Sequence, residues 1–337
     1  MSAQSQASAV RGSAGLFRLA DRGLIRVAGS DRERWLNAMV SNDVASLVPG
    51  RERSGCRALL LSRKGMILAD FHVLLRPDSL WLDLERPALA ETIEALRKHI
   101  IADDVTLEDL SAGVGRLSLE GPAARAILES AIGAPIQLSP EAVMDGSSEG
   151  VEVVVAAYGW SGEPAYQLFA PADKTGDLRQ HLVEAGASCA LIEADAEALE
   201  ILRIEAGRPQ LGAELGDDVL PDEAHLGEVV SVQKGCYIGQ EIVARLRSRG
   251  QVNHLLVGLR FGNSLPAEPS TPLCVEEREI GEVTSSCVSP VAGAIGLGFV
   301  RRAHAAAGTE LQAGACAAKV VSLPHAGPGS AVRGVDA

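Results

Sequence analysis

The pattern of apolar and turn-forming residues changes near Gln251, and this change is the sequence feature that most constrains the fold. Before it, strand-like runs and single amphipathic helices alternate without strict strand–helix–strand repetition, which favours α+β architecture with antiparallel sheets. After it, short apolar runs alternate with Gly, Pro and Ser, which is typical of a small antiparallel barrel or sandwich. A chain of 337 residues is also long for one core. We therefore expect an α+β region over residues 14–250 and a separate antiparallel β domain, a barrel or a sandwich, over residues 251–326.

The two ends of the chain lack such patterns. Residues 1–13 are small and polar, which predicts a flexible tail and no secretory signal, and residues 327–337 are Gly- and Ala-rich and predict a second flexible tail. No apolar run reaches the roughly 18 residues of a membrane span. The six cysteines lack Cys-x-x-Cys spacing, so we predict no metal site and reduced thiols in a cytoplasmic protein.

The formal net charge of −13 argues against binding nucleic acid through the overall field of the protein. A local basic patch at Arg245, Arg247 and Arg249 could still bind an anion. The alternative is that these three side chains form one solvated face of a strand or loop.

The run Lys234-Gly235-Cys236-Tyr237-Ile238-Gly239-Gln240-Glu241 is the most informative local segment. It is short and Gly-rich, which is typical of a functional turn. On an extended backbone Lys234 and Cys236 share a face, and an ammonium near a thiol favours the reactive thiolate. The alternative is a tight turn with a buried, inert Cys236 and a solvated Lys234.

Four segments carry a family resemblance: the run above, Trp35-Leu36-Asn37 through Asp43-Val44, Leu202-Arg203-Ile204-Glu205-Ala206-Gly207, and Gly281-Glu282-Val283-Thr284-Ser285 through Val300. Together they resemble the YgfZ-type folate-binding proteins, relatives of the glycine cleavage T-protein, over residues 16–325. The resemblance implies an α+β fold with two interleaved antiparallel subdomains followed by a C-terminal antiparallel β-barrel.

The resemblance also implies a reduced folate, tetrahydrofolate, as the bound cofactor. A carboxylate in a dry pocket can accept the paired N–H groups of a pterin edge, and the resemblance places that role on Glu205. The alternative for Glu205 is an exposed helix-end carboxylate paired with Arg203 or Arg208. Further candidate folate contacts are Asn42, Asp70, Tyr237, Gln240, Glu241 and Arg245.

Two activities follow from the resemblance, and a third hypothesis is a non-enzymatic scaffold. The YgfZ-type branch implies an accessory role in iron–sulfur cluster assembly or repair, indirectly supporting tRNA modification, with iron–sulfur assembly proteins or client enzymes as partners. Cys236 and Lys234 would then carry the chemistry.

The alternative is a tetrahydrofolate-dependent aminomethyltransferase or demethylase. There the family uses the first aspartate of an Asp-Asp pair, which is Ala69 in this chain and leaves Asp70 alone. An alanine cannot balance charge at the folate nitrogen, so Ala69 argues against this alternative.

Overall fold

A computed structural model describes residues 1–50 and 52–327, with the backbone alone at Arg249. The described residues form seven α-helices: α1 (Ala3–Gly12), α2 (Arg32–Met39), α3 (Leu89–Arg97), α4 (Ala124–Ile132), α5 (Thr175–Gly186), α6 (Ala196–Glu205) and α7 (Gln240–Arg249). The strands are β1 (Gly15–Arg18), β2 (Arg22–Ala28), β3 (Gly55–Leu61), β4 (Ile67–Leu75), β5 (Ser79–Glu85), β6 (Thr106–Asp109), β7 (Val114–Glu120), β8 (Val143–Ser148), β9 (Val151–Ala156), β10 (Ala165–Pro171), β11 (Ile192–Ala194), β12 (His254–Phe261), β13 (Pro272–Val275), β14 (Arg278–Ser289), β15 (Gly293–Arg301), β16 (Glu310–Ala313) and β17 (Cys316–Val321).

Two sheets make up the first region, and the chain passes between them. β2 to β6 form a five-stranded sheet in the order β3-β4-β5-β2-β6. β1 instead joins the six-stranded sheet β11-β1-β7-β10-β9-β8. All pairings in the two sheets are antiparallel except β1 with β11. Because β1 precedes the first sheet and β7 follows it, the two subdomains are interleaved along the chain, as the family resemblance implied.

Each sheet has its own core. Phe71 and Leu82 of the first sheet pack with Trp35 and Leu36 of α2. In the second sheet, apolar side chains of β7 and β10 pack against α4 and α5, as shown by Leu168 with Ile127 and Leu182. Alternation along the strands puts these side chains on the buried face, so each sheet is covered by helices on that side.

The C-terminal region is a closed six-stranded barrel in the order β12-β15-β14-β13-β16-β17. Leu259, Leu273 and Val300 lie in its core. Outside the barrel, Ile204 of α6 packs against Leu256 and Leu297, which fixes the barrel to the first region. The predicted α+β fold with a C-terminal antiparallel barrel is confirmed.

The prediction of a flexible tail over residues 1–13 is wrong, because this segment forms α1. Ala7 and Val10 are fully buried against α6, where they contact Ala198 and Leu202. The small size of the alanines hid this apolar face in the sequence, although helical spacing was present. Residues 328–337 of the second predicted tail lie outside the described residues. None of the described helices combines the length and apolar character needed to cross a membrane.

Candidate functional site

Lys234 joins the loop at residues 234–239, which we call the signature loop, to the segment that follows α2. Its Nζ donates to three backbone carbonyls, those of Asn37 at 2.5 Å, Val40 at 2.6 Å and Asn42 at 2.7 Å. The ammonium also lies 5.1 Å from the centroid of the buried Tyr237 ring, a distance suited to cation–π attraction. Burial lowers the pKa of Lys234 to about 8. This geometry gives Lys234 a positioning role in the loop.

Cys236 lies two residues further on and is exposed. The three N–H groups of Lys234 are used by carbonyl oxygens, so the ammonium has no donor left for the Cys236 thiol. The alternative of a buried Cys236 beside a solvated Lys234 is also wrong, because the burial of the two side chains is reversed. The loop therefore presents an accessible thiol whose chemical role stays a prediction.

We expect Cys236 to be the cysteine that reacts first with a thiol reagent. The remaining five are partly or fully buried, and burial raises the pKa of Cys56 and of Cys287 to about 12. Peptide mapping after brief alkylation should find the label on Cys236. Cys236→Ala should abolish the fast phase without moving the urea unfolding midpoint. A fast phase that survives this substitution would contradict the prediction.

Glu205, the predicted pterin ligand, is fully buried at the end of α6. Arg11 of α1 donates to its Oε2 from Nε at 2.7 Å and from Nη2 at 2.5 Å, while the Ser289 hydroxyl donates to Oε1. Arg11 also donates from Nη1 to Glu163 at 2.9 Å. The alternative of an exposed carboxylate paired with Arg203 is therefore wrong. Both oxygens of Glu205 already have donors within the protein, and its contact with a pterin stays a prediction.

Asn42 and Asp70 meet at Arg57, a residue that the sequence analysis missed. Asn42 donates from Nδ2 to the Arg57 carbonyl at 2.8 Å and accepts from the Asp43 backbone N–H at 2.8 Å. The Arg57 guanidinium donates to Asp70 at 2.8 and 2.6 Å. Although burial alone would raise it, the pairing with Arg57 lowers the pKa of Asp70. Since Lys234 holds the Asn42 carbonyl, these residues form one connected polar group.

Ala69 precedes Asp70 on β4 and faces the opposite side of the sheet, because side chains alternate along a strand. It is fully buried in the core of the first sheet. Asp70 therefore cannot replace a carboxylate at position 69 without turning the strand over.

The remaining predicted contacts lie at and beyond the start of α7. Gln240 and Glu241 form its first turn, directly after Gly239 with φ +84°, and Arg245 is exposed further along. A Cβ at position 239 would lie 2.6 Å from the Ser62 carbonyl oxygen, so the loop needs glycine there.

The basic patch predicted on this segment is partly neutralised. Arg247 donates to both oxygens of Asp222, at 2.9 Å from Nη2 and 3.1 Å from Nε, and to the Gly227 carbonyl at 3.0 Å. The side chain of Arg249 lies outside the described residues. Of the described side chains in this segment, those of Gln240, Glu241, Arg245 and Arg247 do not line the three cavities described next.

Three adjoining cavities lie between the two sheets, α6 and the barrel. The first, which we call the carboxylate cavity, has a volume of about 770 Å³ and lies between α3 and the loop at residues 210–217. Its apolar wall includes Leu60, Ile67, Leu211 and Leu215. The carboxylates on its lining are Asp21, Glu85, Glu91 and Asp217.

The second, or middle, cavity has a volume of about 580 Å³ and shares Asp21, Glu85 and Gln210 with the carboxylate cavity. Its lining also includes Trp160 and Cys287. The third, or arginine, cavity has a volume of about 220 Å³ and shares residues 18–20 and Arg22 with the middle cavity.

A buried polar network joins the two sheets behind these cavities. Asp83 of β5 is fully buried and accepts from Tyr158 Oη at 2.7 Å and from Arg22 Nη2 at 3.0 Å. Arg116 of β7 lies against the same carboxylate. Burial raises the pKa of Tyr158 to about 12, so its hydroxyl stays a donor at neutral pH. The sequence feature that could have revealed this network is the presence of charged residues, Asp83 and Arg116, within otherwise apolar strands.

Comparison with known proteins gives consistent results. Residues 1–234 match the family described as GCVT N-terminal domain, and residues 255–325 match the glycine cleavage T-protein C-terminal barrel domain. Aminomethyltransferase from Streptomyces avermitilis is 33% identical over 309 residues, covering 89% of this chain and 82% of that protein. Aminomethyltransferase from Cutibacterium acnes is 32% identical over 316 residues, covering 90% and 83%.

Among solved structures, glycine cleavage system aminomethyltransferase T from Bartonella henselae superposes with a TM-score of 0.85 at 24% identity, covering 97% of this chain and 90% of that one. This likeness confirms the fold. The family matches, the relatives and the fold agree, and the chain belongs to the glycine cleavage T-protein family.

Proposed function

We propose that this protein binds tetrahydrofolate in the carboxylate and middle cavities. Membership of the glycine cleavage T-protein family supports a reduced folate as the ligand. The observation that carries the proposal is the carboxylate cavity, where an apolar wall stands beside four carboxylates. Glu85 is paired with Arg22, whereas no ion pair to Asp21, Glu91 or Asp217 is found among the described residues. A flat pterin needs apolar walls for its faces and a carboxylate for its N–H edge.

Asp217 is the carboxylate that we propose for the pterin edge. It follows Leu215, which is buried, on the same loop as Leu211, so the carboxylate stands beside the apolar wall. Glu85 is engaged by Arg22, and Glu205 is engaged by Arg11. The pterin contact first predicted for Glu205 therefore moves to Asp217 in this proposal.

Calorimetric titration with tetrahydrofolate and its 5-formyl form tests the proposal. Asp217→Asn should weaken binding about 10- to 100-fold, because a charge-assisted hydrogen bond contributes about 1.5–3 kcal/mol. Glu91→Gln, on the rim of the same cavity, is the matched control and should change affinity less than about threefold. Absence of binding by the wild type would overturn the folate proposal, and full binding by Asp217→Asn would overturn the role of that residue.

Aminomethyl transfer is the activity that the named relatives favour. It requires the folate nitrogen and the donor carbon to meet near a group that balances charge. Ala69 provides no such group, and Asp70 is held on the other face of β4 by Arg57. Production of methylene-tetrahydrofolate from an aminomethylated carrier protein by the purified protein would establish this activity.

An accessory role in iron–sulfur cluster assembly or repair is the second candidate. Two observations favour it: the alanine at position 69 and the exposed thiol of Cys236 on a loop that Lys234 fixes in place. Under this hypothesis Cys236→Ala should fail to restore iron–sulfur enzyme activity in cells that lack the protein. Under the aminomethyl-transfer hypothesis the same variant should keep its transfer activity.

A further inference from the structure

Thr92 of α3 carries a hydroxyl that the fold leaves without a partner. The residue is only 2% exposed, and Oγ1 has no hydrogen-bond partner in the described part of the chain. Burying a hydroxyl without a partner is costly, and most buried polar groups in proteins are therefore hydrogen-bonded. The unsatisfied hydroxyl of Thr92 thus points to a group that is not part of the protein.

The helix around Thr92 would ordinarily supply the missing partner. A threonine hydroxyl inside an α-helix commonly donates to the backbone carbonyl four residues earlier, which here belongs to Ala88. Among the described residues Thr92 makes no hydrogen bond of this kind. Since the hydroxyl is not used to stabilise its own helix, it stays available to a group outside α3.

The side chain of Thr92 lines the carboxylate cavity. Ala88 and Ala95 lie one turn before and one turn after it on the same side of the helix, and both line this cavity too. Their side chains end at Cβ, so they leave room beside Thr92. A ligand in the cavity can therefore come close to the Thr92 side chain.

Thr92 and Asp217 contribute to the cavity from different elements. The cavity lies between α3, which carries Thr92, and the loop at residues 210–217, which carries Asp217. Leu60 of β3 and Ile67 of β4 belong to its apolar wall. A flat ring that rests on this wall can thus meet a hydrogen-bonding group at two separate edges.

A hydroxyl suits the second edge of a reduced pterin. The pyrimidine ring presents its N–H and amino groups to a carboxylate, which is the contact proposed for Asp217. The rest of the ring carries a carbonyl oxygen, which accepts, and ring N–H groups, which donate. A hydroxyl can donate or accept, whereas an ionised carboxylate only accepts.

We propose that the Thr92 hydroxyl hydrogen-bonds the pterin of tetrahydrofolate at a ring edge that Asp217 does not contact, an inference that rests on the proposed folate function. Thr92 and Asp217 together then set the orientation of the ring in the carboxylate cavity. The hydroxyl contributes to ligand affinity and not to the stability of the free protein. Thr284 differs in this respect, because its Oγ1 donates to Glu214 at 3.0 Å.

The test of affinity uses Thr92→Val, which keeps the shape of the side chain and removes the hydroxyl. Calorimetric titration of the full chain with tetrahydrofolate and its 5-formyl form should show binding about 3- to 10-fold weaker than that of the wild type. Thr92→Ser retains a hydroxyl and should bind within about twofold of the wild type.

The test of stability uses the same variant without ligand. The urea unfolding midpoint of Thr92→Val should equal or exceed that of the wild type, because a methyl group replaces an unsatisfied hydroxyl. Thr284→Val is the matched control: the same substitution removes a hydroxyl that has a partner, and it should lower the midpoint.

Wild-type affinity in Thr92→Val would overturn this inference while leaving the proposed folate function intact. Absence of binding by the wild type would overturn both. If Thr92→Ser binds as weakly as Thr92→Val, the methyl group makes the contact instead of the hydroxyl, and the inference fails. A lowered unfolding midpoint for ligand-free Thr92→Val would show that the hydroxyl is bonded within the protein, which would also overturn it.

Discussion

Replacing Arg11 by alanine is expected to lower the free energy of unfolding by about 3–5 kcal/mol, the cost of leaving buried charges without their partner. Arg11 joins α1 to Glu205 of α6 and to Glu163, and the exposed fraction of each of the three side chains is 2% or less. Without Arg11, the buried Glu205 carboxylate would lose both of its guanidinium donors. Urea unfolding followed by circular dichroism measures the change.

A matched control is Arg179→Ala. Arg179 pairs with Glu193 at 2.6 Å, but both side chains are about two-fifths exposed, so solvent already screens the pair. We expect its unfolding midpoint to stay close to that of the wild type. If Arg11→Ala proved as stable as Arg179→Ala, α1 would not be held in place by this ion pair and its docking would depend on Ala7 and Val10.

Replacing Lys234 by methionine should lower the free energy of unfolding by about 2–4 kcal/mol and loosen the signature loop. Methionine fills a similar volume but cannot donate, so the carbonyls of Asn37, Val40 and Asn42 lose their shared donor. Hydrogen exchange at the amides that follow α2 should accelerate together with those of the loop. Lys174→Met, an exposed lysine on the approach to α5, is the control and should change neither quantity.

The stability difference between the wild type and Lys234→Met should change with pH in a defined direction. The pKa of Lys234 is about 8 in the folded protein against an ordinary value of 10.5. Between these values the folded state binds fewer protons than the unfolded chain, so the stability of the wild type relative to Lys234→Met should rise with pH in that window. A stability difference that is flat from about pH 7 to 10.5 would show that the ammonium is not desolvated.

Together, the Lys234→Met and Cys236→Ala variants distinguish a residue that positions the loop from a residue that reacts. Cys236→Ala removes an exposed group and should leave stability unchanged, whereas Lys234→Met removes contacts that hold the loop. If both variants lose function and only Lys234→Met loses stability, the thiol is the reacting group and the lysine positions it. If Cys236→Ala keeps full function, the thiol has no part in the activity.

Local sequence pattern identified much of the architecture. Turn residues at regular spacing after Gln251 predicted a small antiparallel barrel or sandwich, and the family resemblance implied the barrel. The mixture of strands and single helices predicted the α+β region. These predictions succeeded because side-chain alternation along a strand and spacing along a helix are local properties. α1 was missed because Ala7 and Val10 form a narrow apolar stripe that resembles a polar tail until α6 covers it.

The sequence by itself determined the order of elements, the antiparallel β domain after Gln251 and the position of the Gly-rich signature loop, because each depends on neighbouring residues. The tertiary structure determined which distant groups the charged side chains pair with. Glu205 meets Arg11 across 194 positions of sequence, and Lys234 meets Asn37 across 197. The four arginines of the third cavity are likewise brought together only by sheet pairing and subdomain packing. A charged residue in a local pattern does not indicate which distant group it will face, so whether it binds a ligand or another side chain is fixed by the fold.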